Sequence, residues 1–305
     1  MRVAELSGAG GASRSPADRL AGPVLLACTV VAVATLVALV GVLGVETGRF
    51  FTRVSVVRFF TEMDWAPFAE EPRYGVLPLL AATVQIAVGA GVFGVPAGLM
   101  TAVYLEHYAG ARVERVLTAV TALLAGVPTV VHGYFALNFV TPALRGLWPG
   151  TEAFNALSAC LVVGMMILPT VVVLSRAALK SVPAPLMEAG LALGAGRGRV
   201  VARVLVPAAS GGIAAAVFLA MARAVGETMI VTLAAGNQAQ LAWSPLEGLR
   251  TLTAFIAQSS LGDAPNGTLQ YGALFAVSAV LFVVSWGLHA MGGFLVSRRR
   301  WAGAR

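Results

Sequence analysis

Six long apolar stretches constrain this chain more than any other feature of its sequence. They cover residues 21–45, 75–105, 116–144, 154–174, 206–235 and 270–296. About 20 predominantly apolar residues are enough for a helix to cross a bilayer. Only 11% of the 305 residues are charged, whereas soluble domains contain about 25%. The sequence therefore predicts an all-α, polytopic membrane protein with six transmembrane helices, and it argues against a water-soluble enzyme or a disordered chain.

The distribution of Lys and Arg predicts how the chain is oriented. With both termini in the cytoplasm, most basic residues fall in cytoplasmic segments, as the positive-inside tendency requires. The expected organisation is a cytoplasmic tail (1–20), a first span (21–45), an outer segment (46–74), a core of five further spans (75–297) with a cytoplasmic loop (175–205), and a basic cytoplasmic tail (298–305). Orientation in the bilayer thus explains the net charge of +7, and nucleic acid is not an expected partner.

Local patterns add three expectations to this organisation. Aromatic residues are frequent in the segment 46–74, which is expected to form a helix on the outer surface. Gly94 and Gly98 have the spacing at which small residues let membrane helices approach closely. His132 is expected to be a hydrogen-bonded packing residue in the third span rather than a proton-linked group. The spans show neither a metal-ligand cluster nor a nucleophile with a base, so no metal and no catalytic residue is expected.

The loop between the fourth and fifth spans has the most specific pattern in the chain. It contains Glu188-Ala189-Gly190, then three residues and Gly194, then nine residues and Val204-Leu205-Val206-Pro207. This spacing resembles the EAA loop of ABC importer permeases, whose pattern is Glu-Ala-Ala, three residues, Gly, nine residues and Ile-X-Leu-Pro. A short helix broken by glycine can protrude from the membrane and dock on another subunit. The resemblance implies the architecture of a type I ABC importer permease, with an ATPase as the docking partner.

Two charged residues lie within the fifth apolar stretch. Arg223 and Glu227 are four residues apart, so both side chains would share one face of a continuous helix. Each charge at the centre of a bilayer costs about 2.5–3.5 kcal/mol on insertion scales. Such a cost favours either a structural ion pair or a polar pathway. In the second interpretation, Arg223 offers a bidentate fork to an oxyanion, and Glu227 holds and releases that arginine.

The segment around these charges also carries a resemblance. Its residues 223–229, Arg-Ala-Val-Gly-Glu-Thr-Met, resemble the corresponding segment of phosphate ABC transporter permeases of the PstC type. The likeness continues at residues 65–67, 74–78, 126–135, 251–254 and 274–277, and it is absent from the first 45 residues. It implies that Arg223, Glu227 and Thr228 belong to a phosphate pathway.

The resemblance further implies an assembly. The expected partners are a second permease, two ATPase subunits and an extracytoplasmic phosphate-binding protein, in the inner or plasma membrane of a bacterial cell. The sequence lacks the phosphate-loop pattern G-x-x-x-x-G-K-[ST], so this chain is expected to be a transport subunit rather than an enzyme, with no cofactor of its own. ATP and Mg²⁺ would bind to the partner ATPase. The alternatives are a related permease for sulfate or molybdate and an ion-driven secondary transporter, which would not predict an EAA loop.

Overall fold

The structure is a computed structural model, and it describes residues 16–302 except 242, 243, 264 and 266. The larger part of the tail expected at 1–20, and the end of the basic tail expected at 298–305, lie outside the described residues. Five long helices form the framework: α1 (Pro16–Phe51), α3 (Leu77–His107), α7 (Ala156–Lys180), α10 (Val206–Val225) and α13 (Leu269–Ala302). The chain between them forms shorter elements.

These shorter elements are helical apart from one hairpin. The helices are α2 (Val56–Thr61), α4 (Ala111–Gly126), α5 (Thr129–Phe135), α6 (Thr141–Leu147), α8 (Ala184–Ala192), α9 (Arg197–Val200), α11 (Met229–Ala234) and α12 (Leu252–Gln258). Single π-helical turns lie at Ala136–Val140, Val201–Leu205 and Ser259–Asp263. The antiparallel strands β1 (Trp65–Ala66) and β2 (Arg73–Tyr74) pair Trp65 with Tyr74. The all-α fold predicted from the sequence is confirmed.

Five segments of the described chain are long and apolar enough to cross a membrane as single helices. They are Gly22–Phe51, Leu77–His107, Ala156–Lys180, Arg197–Val225 and Leu269–Leu295. A sixth crossing is possible only as a bent pair, Ala111–Gly126 with Thr129–Leu147, whose two parts meet at 93°. The third predicted span, residues 116–144, therefore corresponds to this bent pair, and the prediction of six spans holds when the pair is counted as one crossing.

The bend has a local cause at Pro128. Proline disfavours helical backbone in the residue before it, and Val127 is extended, with φ −68° and ψ 127°. The ring of Pro128 also cannot donate a backbone hydrogen bond, so the new helix α5 starts just after it. The chain therefore turns at this point instead of continuing straight across the bilayer.

Helices α3 and α7 pack at the centre of the fold, and glycine sets their separation. A Cβ atom added at Gly94 would lie 2.4 Å from the carbonyl oxygen of Gly164, and one added at Gly98 would lie 2.8 Å from Cβ of Val171. Side chains at either position would therefore push the helices apart. The close approach expected from the Gly94/Gly98 spacing is confirmed.

The outer segment 46–74 is not one surface helix, which corrects the prediction. Helix α1 continues to Phe51, only Val56–Thr61 is helical beyond it, and the β1–β2 hairpin follows. Pro67 and Pro72 lie between the two strands, where proline prevents a helix from continuing. The aromatic residues instead pack edge to face around Phe59 and Trp65. The ring centroid of Phe59 lies 5.8 Å from that of Phe50 and 6.4 Å from that of Trp65, and the centroid of Trp65 lies 4.8 Å from that of Phe255. This cluster fixes the hairpin against α12.

An ion-pair network joins three helices at the opposite end of the bundle. The guanidinium of Arg176 on α7 donates from Nε to Glu106 of α3 at 2.9 Å, and it also pairs with Glu114 of α4. Its side chain is only 26% exposed, so solvent screens these pairs less than it screens surface pairs. The first half of the bent segment is thereby attached to the central helices.

Candidate functional site

The fifth apolar stretch is interrupted two residues after Arg223. Helix α10 ends at Val225, residues 226–228 leave the helix, and α11 begins at Met229. Thr228 has φ −113° and ψ −52°, outside ordinary helical geometry. Arg223 therefore lies in the last turn of α10, while Glu227 lies in the break. The prediction that both side chains share one face of a continuous helix is wrong.

Glu227 holds this break in place. Its Oε1 atom accepts hydrogen bonds from the backbone N–H groups of Met229, at 3.0 Å, and Ile230, at 3.1 Å. The first N–H groups of a helix have no partner within the helix, and a carboxylate there is favoured by the helix dipole. The residue is only 8% exposed. These bonds compete with an ion pair to Arg223, and the structure shows none between the two residues.

A pair of buried threonines connects the break to α12. The hydroxyl of Thr253 donates to the backbone carbonyl of Glu227 at 2.7 Å, so the Thr251 hydroxyl, 3.0 Å away, donates to Thr253. Thr251 also accepts from the N–H of Ala254 and so caps α12. Thr83 of α3 accepts from the N–H of Leu252 at 3.0 Å. The break is thus tied to both α12 and α3.

Arg223 keeps most of its hydrogen-bonding capacity. Its side chain is exposed, and Nη1 donates to the Thr170 hydroxyl of α7 at 3.3 Å. Within residues 16–302, as far as the structure describes them, no carboxylate forms an ion pair with it. A guanidinium has five N–H donors in a planar fork, so a single bond to a neutral hydroxyl leaves room for an oxyanion. The neighbouring Thr228 is half-buried, and its hydroxyl donates to the carbonyl of Gly226 at 3.3 Å.

His132 lies on α5, close to the same break. It is 3% exposed, and its Nδ1 atom has no hydrogen-bond partner in the part of the chain that the structure describes. The expectation of a hydrogen-bonded packing residue is therefore not met at this nitrogen. Its neighbour Gly133 explains the close packing, since a Cβ there would lie 2.7 Å from Cδ1 of Leu233 on α11. Helix α5 thus packs directly on the helix that Glu227 caps.

The loop with the EAA-like pattern forms a short exposed helix, α8, as the sequence predicts. Glu188 and Ala189 are exposed on it, and Gly194 ends it with φ +79°, a conformation that L side chains rarely adopt. The N–H of Gly194 donates to the carbonyl of Leu191 at 2.9 Å, and the N–H of Ala195 donates to that of Gly190 at 3.2 Å. These two bonds form a Schellman motif, in which glycine is the preferred residue at the left-handed position.

Gly190 stands where the EAA pattern has its second Ala, and the structure supplies a packing reason. A Cβ atom at this position would lie 2.8 Å from Cγ2 and 2.9 Å from Cγ1 of Val200 on α9. Val200 is 1% exposed and belongs to a small core with Val201 and Leu205. The absent methyl group therefore lets α8 pack against the segment that leads into α10.

Two further features of this loop are its exposed apolar side chains and the point where it joins α10. Leu186, Leu191 and Leu193 of the loop are 41%, 44% and 88% exposed, so the loop presents apolar side chains on its surface. Pro207 lies in the first turn of α10, directly after the π-helical turn Val201–Leu205. Proline removes one backbone N–H donor from the continuous helical segment Arg197–Val225, just beyond its π-helical turn.

Comparison with known proteins identifies the family. Residues 94–301 match the family model described as "Binding-protein-dependent transport system inner membrane component". The chain belongs to this family. The matched region begins in α3 and extends through α13, so it contains the break at residues 226–228 and the α8 loop. The chain is therefore a permease subunit of an ABC importer.

Three curated relatives cover most of the permease. "Probable ABC transporter permease protein YqgH" of Bacillus subtilis is 33% identical, over 91% of this chain and 90% of its own length. The phosphate transport system permease protein PstA 1 of Mycobacterium tuberculosis is 32% identical, over 88% and 86%. The protein PstC of Mesorhizobium japonicum is 27% identical, over 79% and 78%. The resemblance to phosphate permeases is thus shared by proteins of the PstC and PstA types.

Solved structures support the fold of the permease. A bacterial alginate ABC transporter, in complex with an alginate pentasaccharide-bound periplasmic protein, aligns with a TM-score of 0.65. The alignment covers 92% of this chain and 95% of that chain at 15% identity. At this identity the likeness establishes the architecture, which is that of a type I ABC importer permease.

The sequence alone missed the residues that hold the break and the residue that contacts Arg223. Thr83, Thr170 and Thr253 are far from Arg223 and Glu227 along the chain, and a single threonine has no periodic signal of its own. The one available signal was the segment 251–254, which resembles the phosphate permeases. Its two hydroxyls turn out to contact the carbonyl of Glu227 directly and through each other.

Proposed function

We propose that this permease conducts inorganic phosphate in an ATP-driven importer. In this assembly it pairs with a second permease, two ATPase subunits and an extracytoplasmic phosphate-binding protein. ATP and Mg²⁺ bind to the ATPases, and the permease itself carries no cofactor and no catalytic residue. Support comes from the relatives named as phosphate transport system permeases and from the alginate transporter, which was solved with a periplasmic protein.

One observation carries the substrate assignment: the guanidinium of Arg223 has no carboxylate partner among the described residues. A lone cation in a span is costly, at about 2.5–3.5 kcal/mol on insertion scales. A substrate with negative charge offsets that cost during passage. The planar fork of arginine suits an oxyanion, and the hydroxyl of Thr170 is within reach of the same site.

Glu227 and Thr228 have different roles in this proposal from those suggested by sequence. Glu227 fixes the break by capping α11, so that the last turn of α10 presents Arg223 beside a non-helical segment. Its charge is engaged by backbone N–H groups and leaves the arginine free to receive an anion. Thr228 has its hydroxyl on the carbonyl of Gly226 and reorients to meet the substrate.

The energy source follows from the charge of the substrate. Moving one negative charge into a cell with a negative interior costs about 2.3 kcal/mol for each 100 mV. A divalent anion must therefore be driven, and helix α8 is the part of the permease that connects to the ATPases. Its exposed leucines dock in a groove of the ATPase, and Glu188 and Ala189 lie on the same exposed helix. Gly194 ends that helix, and Pro207 lies where the loop joins α10. Both termini lie in the cytoplasm, and the membrane is the bacterial inner or plasma membrane.

The test is phosphate uptake by the assembled transporter in proteoliposomes. Arg223→Gln should abolish ATP-driven uptake of radiolabelled phosphate while the subunits still assemble, and Arg223→Lys should restore it only in part. Arg58→Gln removes another exposed arginine charge, from α2, and serves as the matched control, with normal uptake expected. Normal uptake by Arg223→Gln would refute the role of this arginine.

A competition arm of the same assay tests the choice of anion. Excess unlabelled sulfate or molybdate should leave phosphate uptake unchanged. If either anion competes equally and uptake still depends on Arg223, another oxyanion is assigned as the substrate in place of phosphate. The role proposed for the arginine is then unchanged. Uptake that needs an ion gradient instead of ATP would favour the secondary transporter.

A further inference from the structure

A groove and a charged cavity follow one another along the contact between α1 and α13. The groove, of about 760 Å³, is lined mostly by apolar side chains, among them Leu39 and Val42 of α1 and Phe282 of α13. The cavity, of about 380 Å³, is lined by Glu46 and Arg49 of α1, by Arg53 in the turn after α1, and by the first turn of α13. The two openings have different chemistry although the same two helices form them.

Helical spacing shows that the groove and the cavity share one line. On α1 the lining residues recur every three or four positions, at Thr35, Leu39, Val42, Glu46 and Arg49, and Arg53 follows in the turn after the helix. On α13 they recur in the same way, at Tyr271, Phe275, Ser278, Phe282 and Ser285. Residues three and four apart lie on one helix face. The groove and the cavity therefore lie along one seam between the two helices, which is apolar along most of its length and polar at one end.

Contacts at the polar end hold the two helices together there. The hydroxyl of Thr47 donates to the carbonyl of Phe275 at 3.2 Å. A Cβ atom at Gly272 would lie 3.2 Å from Cβ of Phe50, so the helices approach each other closely beside the cavity. Further along, the groove is open, and Leu39 and Val42 are 58% and 54% exposed. An elongated apolar molecule can therefore enter from the side.

The charge at the polar end is positive overall. Arg49 pairs with Glu46 at 2.6 Å, but its side chain is still 73% exposed. Arg53 is exposed and forms no ion pair with any carboxylate that the structure describes. No charged residue lies between residue 22 and Val45, so Glu46 marks the point where α1 leaves the hydrocarbon core. The arginines thus lie at the depth of lipid headgroups.

We propose that this seam is a binding site for an anionic phospholipid. The headgroup phosphate pairs with Arg53 and Arg49, and one acyl chain lies in the groove along Leu39, Val42 and Phe282. An anionic phospholipid matches both parts of the seam, because one molecule carries a charged headgroup and an apolar chain. Gly226, in the break after Arg223, also lines the groove, so the bound acyl chain touches the segment that separates α10 from α11.

Native mass spectrometry of the full-length permease in detergent tests this proposal, with dioleoylphosphatidylglycerol and dioleoylphosphatidylcholine as probes. One arginine near a membrane surface contributes about fivefold to the affinity for anionic lipid, so Arg53→Gln should weaken phosphatidylglycerol binding by about fivefold, and the double variant with Arg49→Gln by about 30-fold. Arg58→Gln, which does not line the cavity, should bind normally. Unchanged binding by the double variant would overturn the proposal.

Two further arms separate the lipid from other occupants. Ala38→Phe fills the groove and should weaken binding of both lipids, whereas Val37→Phe, on the opposite face of α1, should not. Inorganic phosphate at millimolar concentration should not displace phosphatidylglycerol; displacement would show that the cavity holds free phosphate instead. Ala38→Cys in a Cys28→Ser background should not cross-link to a co-purifying permease, and an efficient cross-link would assign the seam to protein contact.

Discussion

Gly190 departs from the Ala of the EAA pattern, and the structure predicts that restoring Ala harms the packing of α8. The added methyl group would lie 2.8 and 2.9 Å from the two methyl groups of Val200, well inside ordinary contact. Val200 cannot turn away easily, because a β-branched residue in a helix has one strongly preferred rotamer and both of its methyl groups already face Gly190. Either α8 or α9 must therefore move.

The magnitude follows from two opposing contributions. Overpacking a tight contact costs about 1–3 kcal/mol. Replacing Gly by Ala within a helix gains about 1 kcal/mol from backbone propensity. Gly190→Ala should thus lower the free energy of local opening of α8 away from α9 by about 0–2 kcal/mol. Val200→Ala removes the clash, so the double variant should be more stable than the sum of the two single variants by about 1–3 kcal/mol.

Amide hydrogen exchange in nanodiscs, read on peptides from α8, measures this double-mutant cycle. The N–H groups of Leu193 and Ala195 close the end of α8 and report on its opening. Exchange should be faster in Gly190→Ala and return toward the wild-type rate when Val200→Ala is added. Additivity of the two changes within about 0.5 kcal/mol would contradict the contact between these residues.

Three other substitutions test separate parts of the structure. Gly194→Ala places a side chain at φ +79° with open space around it, so the cost is that of the left-handed backbone alone, about 1–2 kcal/mol, and amide exchange at Ala195 should become faster. Gly194→Asn should restore much of the protection, and equal exchange rates in the Ala and Asn variants would contradict this cause. Thr253→Val removes the donor to the Glu227 carbonyl and should lower the free energy of unfolding by about 1–3 kcal/mol, whereas Thr253→Ser should retain that hydrogen bond. Equal thermal midpoints for the two variants would contradict a stabilising role for this bond. Tyr74→Phe deletes a buried hydroxyl that has no partner in the described chain, and the same burial raises the pKa of Tyr74. The thermal midpoint should therefore stay the same or rise, and a fall of several degrees would contradict the absence of a partner.

The sequence could predict the parts of this fold that depend on composition and on local pattern. Long apolar stretches predict spanning helices because a helix satisfies its backbone hydrogen bonds within the segment, as lipid requires. The short helix α8 was predictable because Gly194 stops it locally, and the glycines of α3 were predictable because their spacing places them on one face. Each of these features is decided within a few turns of chain.

The breaks were harder to predict because distant partners help to decide them. A Gly such as Gly226 is tolerated inside membrane helices, so its presence does not separate a break from a continuous span. The deciding contacts are the capping of α11 by Glu227 and the hydroxyl of Thr253, which is 26 residues further along the chain. The two charges were correctly found as unusual, but their pairing could not be inferred from a spacing that assumes an unbroken helix.

Phosphate uptake by the reconstituted assembly tests the central claim most directly. Proteoliposomes with the permease, its partner permease, the ATPases and the binding protein should accumulate radiolabelled phosphate only when ATP is supplied. The permease reconstituted without the ATPases should carry none. Phosphate movement through the isolated permease, in the absence of any nucleotide, would contradict the account.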